Sequence, residues 1–150
     1  MKIGLVSCSQ QKLSHPARAH LLYNSPLFKM SVTYAEQHCE TVLILSALHG
    51  LVELDTVLKP YDRKLGGKKE RSTWAMRVAG SLVFRFGRDS ELMILAGADY
   101  AVPLTTALRT YDGHTSKLGW TGWRGPIEEP LKGKMIGQRL SFLRLNTEAA

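Results

Sequence analysis

The sequence lacks several features that would assign it to a class directly. No apolar stretch in its 150 residues approaches the roughly 20 needed to cross a bilayer. The N-terminal Met1-Lys2 leads straight into a strand-like run without a small-residue cleavage site, so no signal peptide is predicted. Two cysteines, Cys8 and Cys39, are too few for a disulfide framework. We therefore expect a cytoplasmic protein with no membrane partner.

Familiar catalytic motifs are also missing. No Gly-Lys-Ser/Thr sequence follows a predicted strand, and no Gly-x-Gly-x-x-Gly is present, which excludes a P-loop enzyme and the usual dinucleotide fingerprint. There is no Cys-x-x-Cys pair and no His-Glu-x-x-His. The histidines are scattered singly at His15, His20, His38, His49 and His114. We predict no metal site and no cofactor.

The composition is that of a folded domain with a basic surface. With 44% hydrophobic and 22% charged residues, the chain can bury a real core, and residues 1–150 are predicted to form a single domain. The formal net charge is +7. Such a charge favours a polyanionic partner, DNA or a nucleotide, although it also serves solubility alone.

Three short apolar runs, each ending in small polar residues, carry most of the structural information. They cover residues 2–6, 41–45 and 91–95. Runs without alternation are typical of strands buried on both faces of a parallel sheet. We predict an α/β fold with a small, mostly parallel sheet and helices on both faces. In such folds the ligand edge lies at the strand C-termini.

The remaining segments divide into helices and irregular stretches. We predict helices at residues 18–23, 27–39, 68–84, 100–110 and 135–145. Ser25 and Pro26 are typical of a helix start, and Gly87 of a helix end. Asp99 is expected to be the N-cap of the fourth helix, with Pro103 in its first turn. Residues 51–67 and 113–130 are predicted to be irregular, and the last helix presents an apolar face of Ile136, Leu140 and Leu143.

The loop after the first strand is a candidate anion site. Ser7, Ser9 and Lys12 form a compact Ser-x-Ser-x-x-Lys pattern whose hydroxyls, ammonium and backbone amides suit a phosphate or carboxylate. A simple strand-to-helix turn explains the same spacing. Cys8, in the same loop, is either a reactive thiol or a binding-loop residue.

The loops after the second and third strands supply further candidates. Ser46, His49 and Gly50 follow the second run, and Gly97 and Tyr100 follow the third. Small residues at these positions let a ligand approach the backbone, and glycine permits a tight bend. We expect them to bind substrate.

An irregular excursion adds an aromatic ring and a carboxylate. Tyr61 can stack on a base, and Asp62 can act as a general base or stabilise a developing cation. A turn with a packed tyrosine is the alternative. Arg63 begins a basic stretch that extends to Arg71 and suits either phosphate contacts or a solvated surface.

The tryptophans allow two interpretations. Trp120 and Trp123 lie in a stretch rich in glycine and can form a stacking platform or a lid, or can cap a core as buried aromatics. Trp74, inside a predicted helix, is expected to serve packing alone.

An ordered set of segments resembles a bacterial and phage family of unknown function. The segments are residues 6–13, 22–28, 45–51, 60–62, 96–100 and 130–137. That family is itself similar to the YaaA peroxide-stress proteins, with the local parallel at the Gly50-Leu51 turn followed by Pro60-Tyr61. The resemblance implies a DNA-linked role and covers nearly the whole chain.

The sequence therefore favours an enzyme acting on a nucleobase or an N-glycosidic bond in DNA or a nucleotide, without a metal. Asp62 and Lys12 are the predicted catalytic residues: Asp62 supplies the carboxylate, and Lys12 holds a phosphate together with Ser7 and Ser9. The alternatives are a non-catalytic DNA-binding protein of stress response or phage–host defence, and a nucleotide-binding module.

Overall fold

The structure is a computed structural model that describes residues 1–109 and 122–147. In chain order its elements are β1 (Lys2–Ser7), β2 (Ala17–Arg18), α1 (Ala19–Leu22), α2 (Pro26–His38), β3 (Thr41–Ser46), β4 (Gly50–Glu53), β5 (Val57–Leu58), α3 (Lys68–Phe86), β6 (Glu91–Leu95), α4 (Ala98–Arg109), β7 (Ile127–Glu128) and α5 (Ile136–Asn146).

The three apolar runs form the centre of one sheet, as predicted. In the described residues this sheet has the strand order β4-β3-β1-β6-β7, and β1 pairs in parallel with both β3 and β6. The register places Leu5 opposite Leu43 on one side and Ile94 on the other, and all three side chains are buried. Strand β4 pairs antiparallel with β3, so the sheet is mixed but mostly parallel.

Helices cover both faces of the sheet, which explains why its strands are apolar without alternation. One face packs against α3 and α4 in a buried cluster that includes Leu5, Leu43, Ile94, Trp74, Leu82 and Leu104. The other packs against α2 and α5 in a cluster that includes Val6, Ile44, Met93, Phe28, Ala35 and Leu143. The predicted single-domain α/β architecture is confirmed.

The predicted start of α2 and the predicted end of α3 are confirmed. The hydroxyl of Ser25 accepts a hydrogen bond from the Phe28 amide at 3.1 Å, and Pro26 is the first residue of α2. Gly87 follows α3 with a φ of 76°, and its amide donates to the carbonyl of Val83. Only glycine adopts this left-handed conformation without strain.

The start of α4 was predicted two residues too late. The Gly97 carbonyl already accepts from the amides of Tyr100 and Ala101, so the helix begins at Ala98. Asp99 is therefore in the first turn and is not the N-cap, and Pro103 lies inside the helix and not in its first turn.

Four further expectations need correction. Arg18, predicted to begin a helix, pairs instead with Val57 in a two-residue strand, which is too short to show a side-chain pattern in the sequence. Residues 127–128, predicted to be irregular, likewise form a two-residue strand that pairs with β6. Part of the stretch 51–67, also predicted to be irregular, forms β4 and β5. The predicted apolar face of α5 is wrong at Ile136, which is 64% exposed, because α5 packs on α2 through Phe142 and Leu143.

No helix within residues 1–109 and 122–147 has both the length and the apolar character that a bilayer span requires.

Candidate active site at the carboxyl edge of the sheet

A cavity of about 390 Å³ opens beyond the carboxyl end of β1, and we call it the main cavity. Its walls come from the loop after β1, the segment between β5 and α3, and the first turns of α3 and α4. Its lining residues are Cys8, Ser9, Gln10, Lys12, Asp62, Arg63, Lys64, Leu65, Arg71, Asp99 and Tyr100. The fold thus brings together residues predicted separately from three segments: Cys8, Ser9, Lys12, Asp62, Arg63 and Tyr100.

The charge of the main cavity is unevenly neutralised. Arg71 Nη2 lies 3.4 Å from a carboxylate oxygen of Asp99, and Arg63 pairs with Glu70 of α3. Asp62 and Lys64 have neither a hydrogen bond nor an ion pair in the described part of the chain. One carboxylate and one ammonium are therefore available to a ligand.

Lys12 is held against an aromatic wall. Its Nζ lies 4.6 Å from the ring centroid of Tyr61 and 5.7 Å from that of Tyr23, and it donates to the Gln10 carbonyl at 3.2 Å. A cation over an aromatic face is stabilised by the ring quadrupole. The ammonium consequently occupies a face of Tyr61 on which a base was expected to stack.

Tyr61 does not line the main cavity but is the centre of a hydrogen-bonded cluster that contacts its lining residue Lys12. Its hydroxyl pairs with those of Tyr23 and of Ser46, the latter at 2.6 Å. Ser46 is fully buried; its Oγ also accepts from the His49 amide at 3.0 Å, and its carbonyl accepts from the indole of Trp74 at 2.8 Å. Burial raises the pKa of Tyr61. Ser46 therefore supports Tyr61, and Trp74 does more than pack.

His49 and Gly50 lie on the outer side of this cluster and do not line the main cavity. The His49 ring makes an edge contact with Tyr61, with centroids 5.1 Å apart. Gly50 begins β4 with a φ of 74°, and a Cβ there would lie 3.0 Å from the Arg77 guanidinium. The positive φ is what requires glycine at this turn, and the Arg77 side chain approaches it closely.

Tyr100 and Cys8 also line the main cavity and contact each other. The Cys8 Sγ and the Tyr100 hydroxyl are 3.5 Å apart. The pKa of Tyr100 is raised, chiefly by burial and also by the neighbouring Cys8. The phenol stays protonated near neutral pH and can donate a hydrogen bond to a ligand.

A second cavity of about 120 Å³ lies beside the first, and we call it the small cavity. Cys8 and Ser9 line both cavities. Two further predicted residues, Ser7 and Gly97, line the small cavity. Ser7 was predicted to bind an anion with Lys12, and Gly97 to bind substrate with Ser46, but neither Lys12 nor Ser46 lines this cavity. The polar residues that sequence reasoning missed are Ser25, Ser31 and Arg139.

Arg139 carries a signal that the sequence did show. It lies in the first turn of α5, where a cation opposes the helix dipole, and a residue placed against its local preference is a candidate for a functional role. Its Nε donates to the Lys134 carbonyl at 2.8 Å, which leaves both terminal nitrogens of the guanidinium available.

The remaining candidates lie elsewhere. Trp123 is 3% exposed and its indole donates to the Ser90 carbonyl at 2.9 Å, so it is a buried aromatic at the amino edge of the sheet. Trp120 and His114 lie outside the described residues. Within residues 1–109 and 122–147, no three His, Cys, Asp or Glu side chains are grouped as a metal site would require.

Comparison with known proteins gives the family but no activity. No curated protein matches the chain significantly. A family model described as a "Family of unknown function (DUF6884)" matches residues 3–145, a span that contains every residue lining the two cavities. Because that match covers nearly the whole sequence, the chain belongs to this family of unknown function.

Proposed function

We propose that the protein binds a nucleotide, free or within DNA, in the main cavity and breaks its N-glycosidic bond. The observation that carries the proposal is an unpaired carboxylate, Asp62, in a cavity otherwise rich in cations. A volume of about 390 Å³ lies within the range of small-molecule sites, roughly 300–1,000 Å³. Lys12 and Lys64 favour an anionic ligand.

The chemistry requires a carboxylate at this position. Breaking the bond between the sugar C1′ and the base nitrogen develops positive charge on the sugar, which an adjacent carboxylate stabilises. Water adds to C1′ and loses a proton to Asp62, while the base leaves with the bonding electron pair. The base takes up that proton from Asp62, and the protonated Tyr100 hydroxyl donates a hydrogen bond to it. No external oxidant or reductant is needed.

The charge distribution supports a nucleic-acid partner. Within residues 63–71, Arg63, Lys64 and Arg71 line the main cavity and Lys68 and Lys69 are exposed, and the whole chain carries a net charge of +7. Phosphates attract such a surface at long range. The similarity to the YaaA peroxide-stress proteins, which is a prediction from the sequence, also favours a nucleic-acid partner.

The test is release of free base from nucleotides and from single- and double-stranded DNA, followed by chromatography. Asp62→Asn should lower the rate by about 10²–10⁴-fold, the usual contribution of a general acid–base group. It should preserve or strengthen substrate binding, because the amide has almost the same shape without the negative charge. Asp89→Asn is the matched control, since Asp89 is exposed and precedes β6 at the opposite edge of the sheet. Base release that survives Asp62→Asn would refute the assignment.

A second candidate is a DNA-binding protein without catalysis, which the exposed basic stretch 63–71 favours. Fluorescence anisotropy with labelled DNA, titrated with salt, separates the possibilities. DNA affinity that falls steeply with salt and is not accompanied by base release supports this candidate. Binding of mononucleotides without any DNA binding at low salt supports a nucleotide-binding module instead.

A further inference from the structure

The small cavity has the composition of an oxyanion site. Four serines and one arginine line it, and its lining within the described residues includes no carboxylate. We infer that it binds the terminal phosphate of the ligand, while the nucleoside occupies the main cavity. The inference rests on the proposed function and narrows it to ligands that end in a phosphate, in contrast to an internal phosphodiester.

Ser31 is the observation that points to a ligand. It is 2% exposed, lines the small cavity, and makes no hydrogen bond in the described part of the chain. Several other helical hydroxyls donate to the carbonyl four residues earlier, as those of Thr33, Thr73, Ser81 and Thr105 do, whereas Ser72 and Ser141, which have no partner among the described residues, are exposed to water. The hydroxyl of Ser31 is therefore free to bond to a group that enters the small cavity. A bound oxyanion would give Ser31 the acceptor it lacks.

Ser25 and Arg139 supply further donors. The Ser25 oxygen accepts from the Phe28 amide, so its hydroxyl hydrogen is free to donate. Arg139 makes no ion pair among the described residues, and its guanidinium lies near Gly97: a Cβ at that glycine would be 3.4 Å from Nη1. Arginine binds phosphate through paired N–H groups, and the first turns of α2 and α4 add favourable dipoles.

The two cavities differ in size, since the small cavity, at about 120 Å³, has about a third of the volume of the main cavity, at about 390 Å³. The smaller part of a nucleotide, its phosphate, is therefore assigned to the small cavity, and the nucleoside is assigned to the main one. Cys8 and Ser9 line both cavities, so the two are neighbours, and in our inference the ligand extends from one to the other across these residues.

Calorimetric titration tests the inference with inorganic phosphate, a nucleoside 5′-monophosphate and the matching nucleoside. Arg139→Gln should weaken the two phosphate-containing ligands by about tenfold to a hundredfold, as expected for loss of charge-assisted hydrogen bonds. Affinity for the nucleoside should be unchanged. Arg144→Gln is the control, because Arg144 lies exposed on the same helix outside both cavities.

Ser31→Ala provides a second variant that does not depend on Arg139. Because this hydroxyl makes no hydrogen bond within the described part of the chain, its removal should leave thermal stability nearly unchanged, while phosphate binding weakens. A purely structural serine would not separate these two readouts. Phosphate affinity that is unchanged in both Ser31→Ala and Arg139→Gln would overturn the inference, as would wild-type protein that binds no phosphate.

The outcomes also distinguish the two proposals and the source of the phosphate. Phosphate binding that depends on Arg139, without any nucleoside binding, supports the small-cavity site and contradicts the proposed function. If the nucleoside and the monophosphate bind with equal affinity and Arg139→Gln changes neither, the small-cavity site is contradicted and the proposed function is supported. A 5′-phosphorylated oligonucleotide that binds more tightly than its 5′-hydroxyl counterpart identifies a DNA end, and tight binding of the mononucleotide alone identifies a free nucleotide; both support the inference.

Discussion

The two cavities lie at the same edge of the sheet but are built in different ways. The small cavity takes its polar groups from the ends of regular elements: Ser7 ends β1, Ser25 caps α2, and Arg139 lies in the first turn of α5. The main cavity takes one wall from residues 59–67, which have no regular secondary structure. The shape of the small cavity is therefore set by helices and strands that pack in the hydrophobic core, whereas the shape of the main cavity depends on a few side chains that anchor residues 59–67.

Three anchors hold that wall of the main cavity. Tyr61 bonds to Tyr23 and Ser46, and Leu65, which is 9% exposed, joins the buried cluster of Trp74. The Glu70 carboxylate accepts from the Gly66 amide at 3.0 Å and pairs with Arg63. Variants at these anchors should change the main cavity and spare the small one.

The largest effect is expected at Trp74. Trp74→Ala removes a side chain that is 4% exposed and should lower the free energy of unfolding by about 3–5 kcal/mol, measured by urea denaturation. Trp74→Phe keeps most of the ring but leaves the Ser46 carbonyl without its donor, at a cost of about 1–3 kcal/mol. Phosphate binding by the folded Trp74→Phe protein should match wild type while nucleoside binding weakens. Equal weakening of both would show that the two cavities are not independent.

Alkaline pH should loosen the tyrosine cluster next to the main cavity. Burial raises the pKa of Tyr23, Tyr61 and Tyr100 above the ordinary value of 10.0. Below that value both folded and unfolded chains keep these protons, and stability does not depend on them. Above it the unfolded chain binds fewer protons than the folded one, so stability falls as pH rises.

Each fully protected tyrosine contributes a slope of at most about 1.4 kcal/mol per pH unit, and partly exposed ones contribute less. Urea denaturation at a series of pH values above 10.0 measures this slope. Tyr61→Phe should reduce it by the contribution of one group. Identical slopes in the variant and the wild type would contradict the assigned burial of that phenol.

The smallest effect is expected at Glu70. Glu70→Gln keeps an oxygen for the Gly66 amide but loses the charge that pairs with the exposed Arg63, so stability should change by less than about 1 kcal/mol. Nucleotide affinity should rise slightly because Arg63 is freed, and phosphate affinity should stay unchanged. Glu36→Gln, at an exposed position of α2, is the control. A large loss of stability would mean that this wall is more tightly built than its ion pair indicates.

The sequence predicted the parts of the molecule that depend on local chemistry. Continuous apolar runs identified β1, β3 and β6, and Ser25 with Pro26 marked the start of α2. The loops after β1 and β6 meet in the main cavity because these parallel strands end at one edge of the sheet. The segment containing Asp62 was also recognised as a candidate, but it follows β5 of the separate two-stranded sheet and reaches the cavity through long-range contacts such as those of Tyr61.

The parts that were missed depend on contacts between distant segments. A cation near the start of α5 made Arg139 unusual in sequence, but its place in the small cavity depends on the packing of α5 on α2, which local sequence does not encode. Ser31 is an ordinary helical serine in sequence, and only its burial without a partner distinguishes it. Ser46 was expected to line a pocket, but its hydroxyl bonds to Tyr61, 15 residues further along the chain.

Cys8 and Ser9, which line both cavities, have a consequence for selectivity. A ligand with its phosphate in the small cavity and its sugar near Asp62 must extend across these two residues, so the distance between its phosphate and C1′ would decide how well it fits. Adding one phosphate, or moving it from one sugar carbon to another, would shift C1′ relative to Asp62. Discrimination between such compounds would then appear in the rate of bond cleavage more than in affinity, because each can still occupy both cavities while the reacting carbon is displaced.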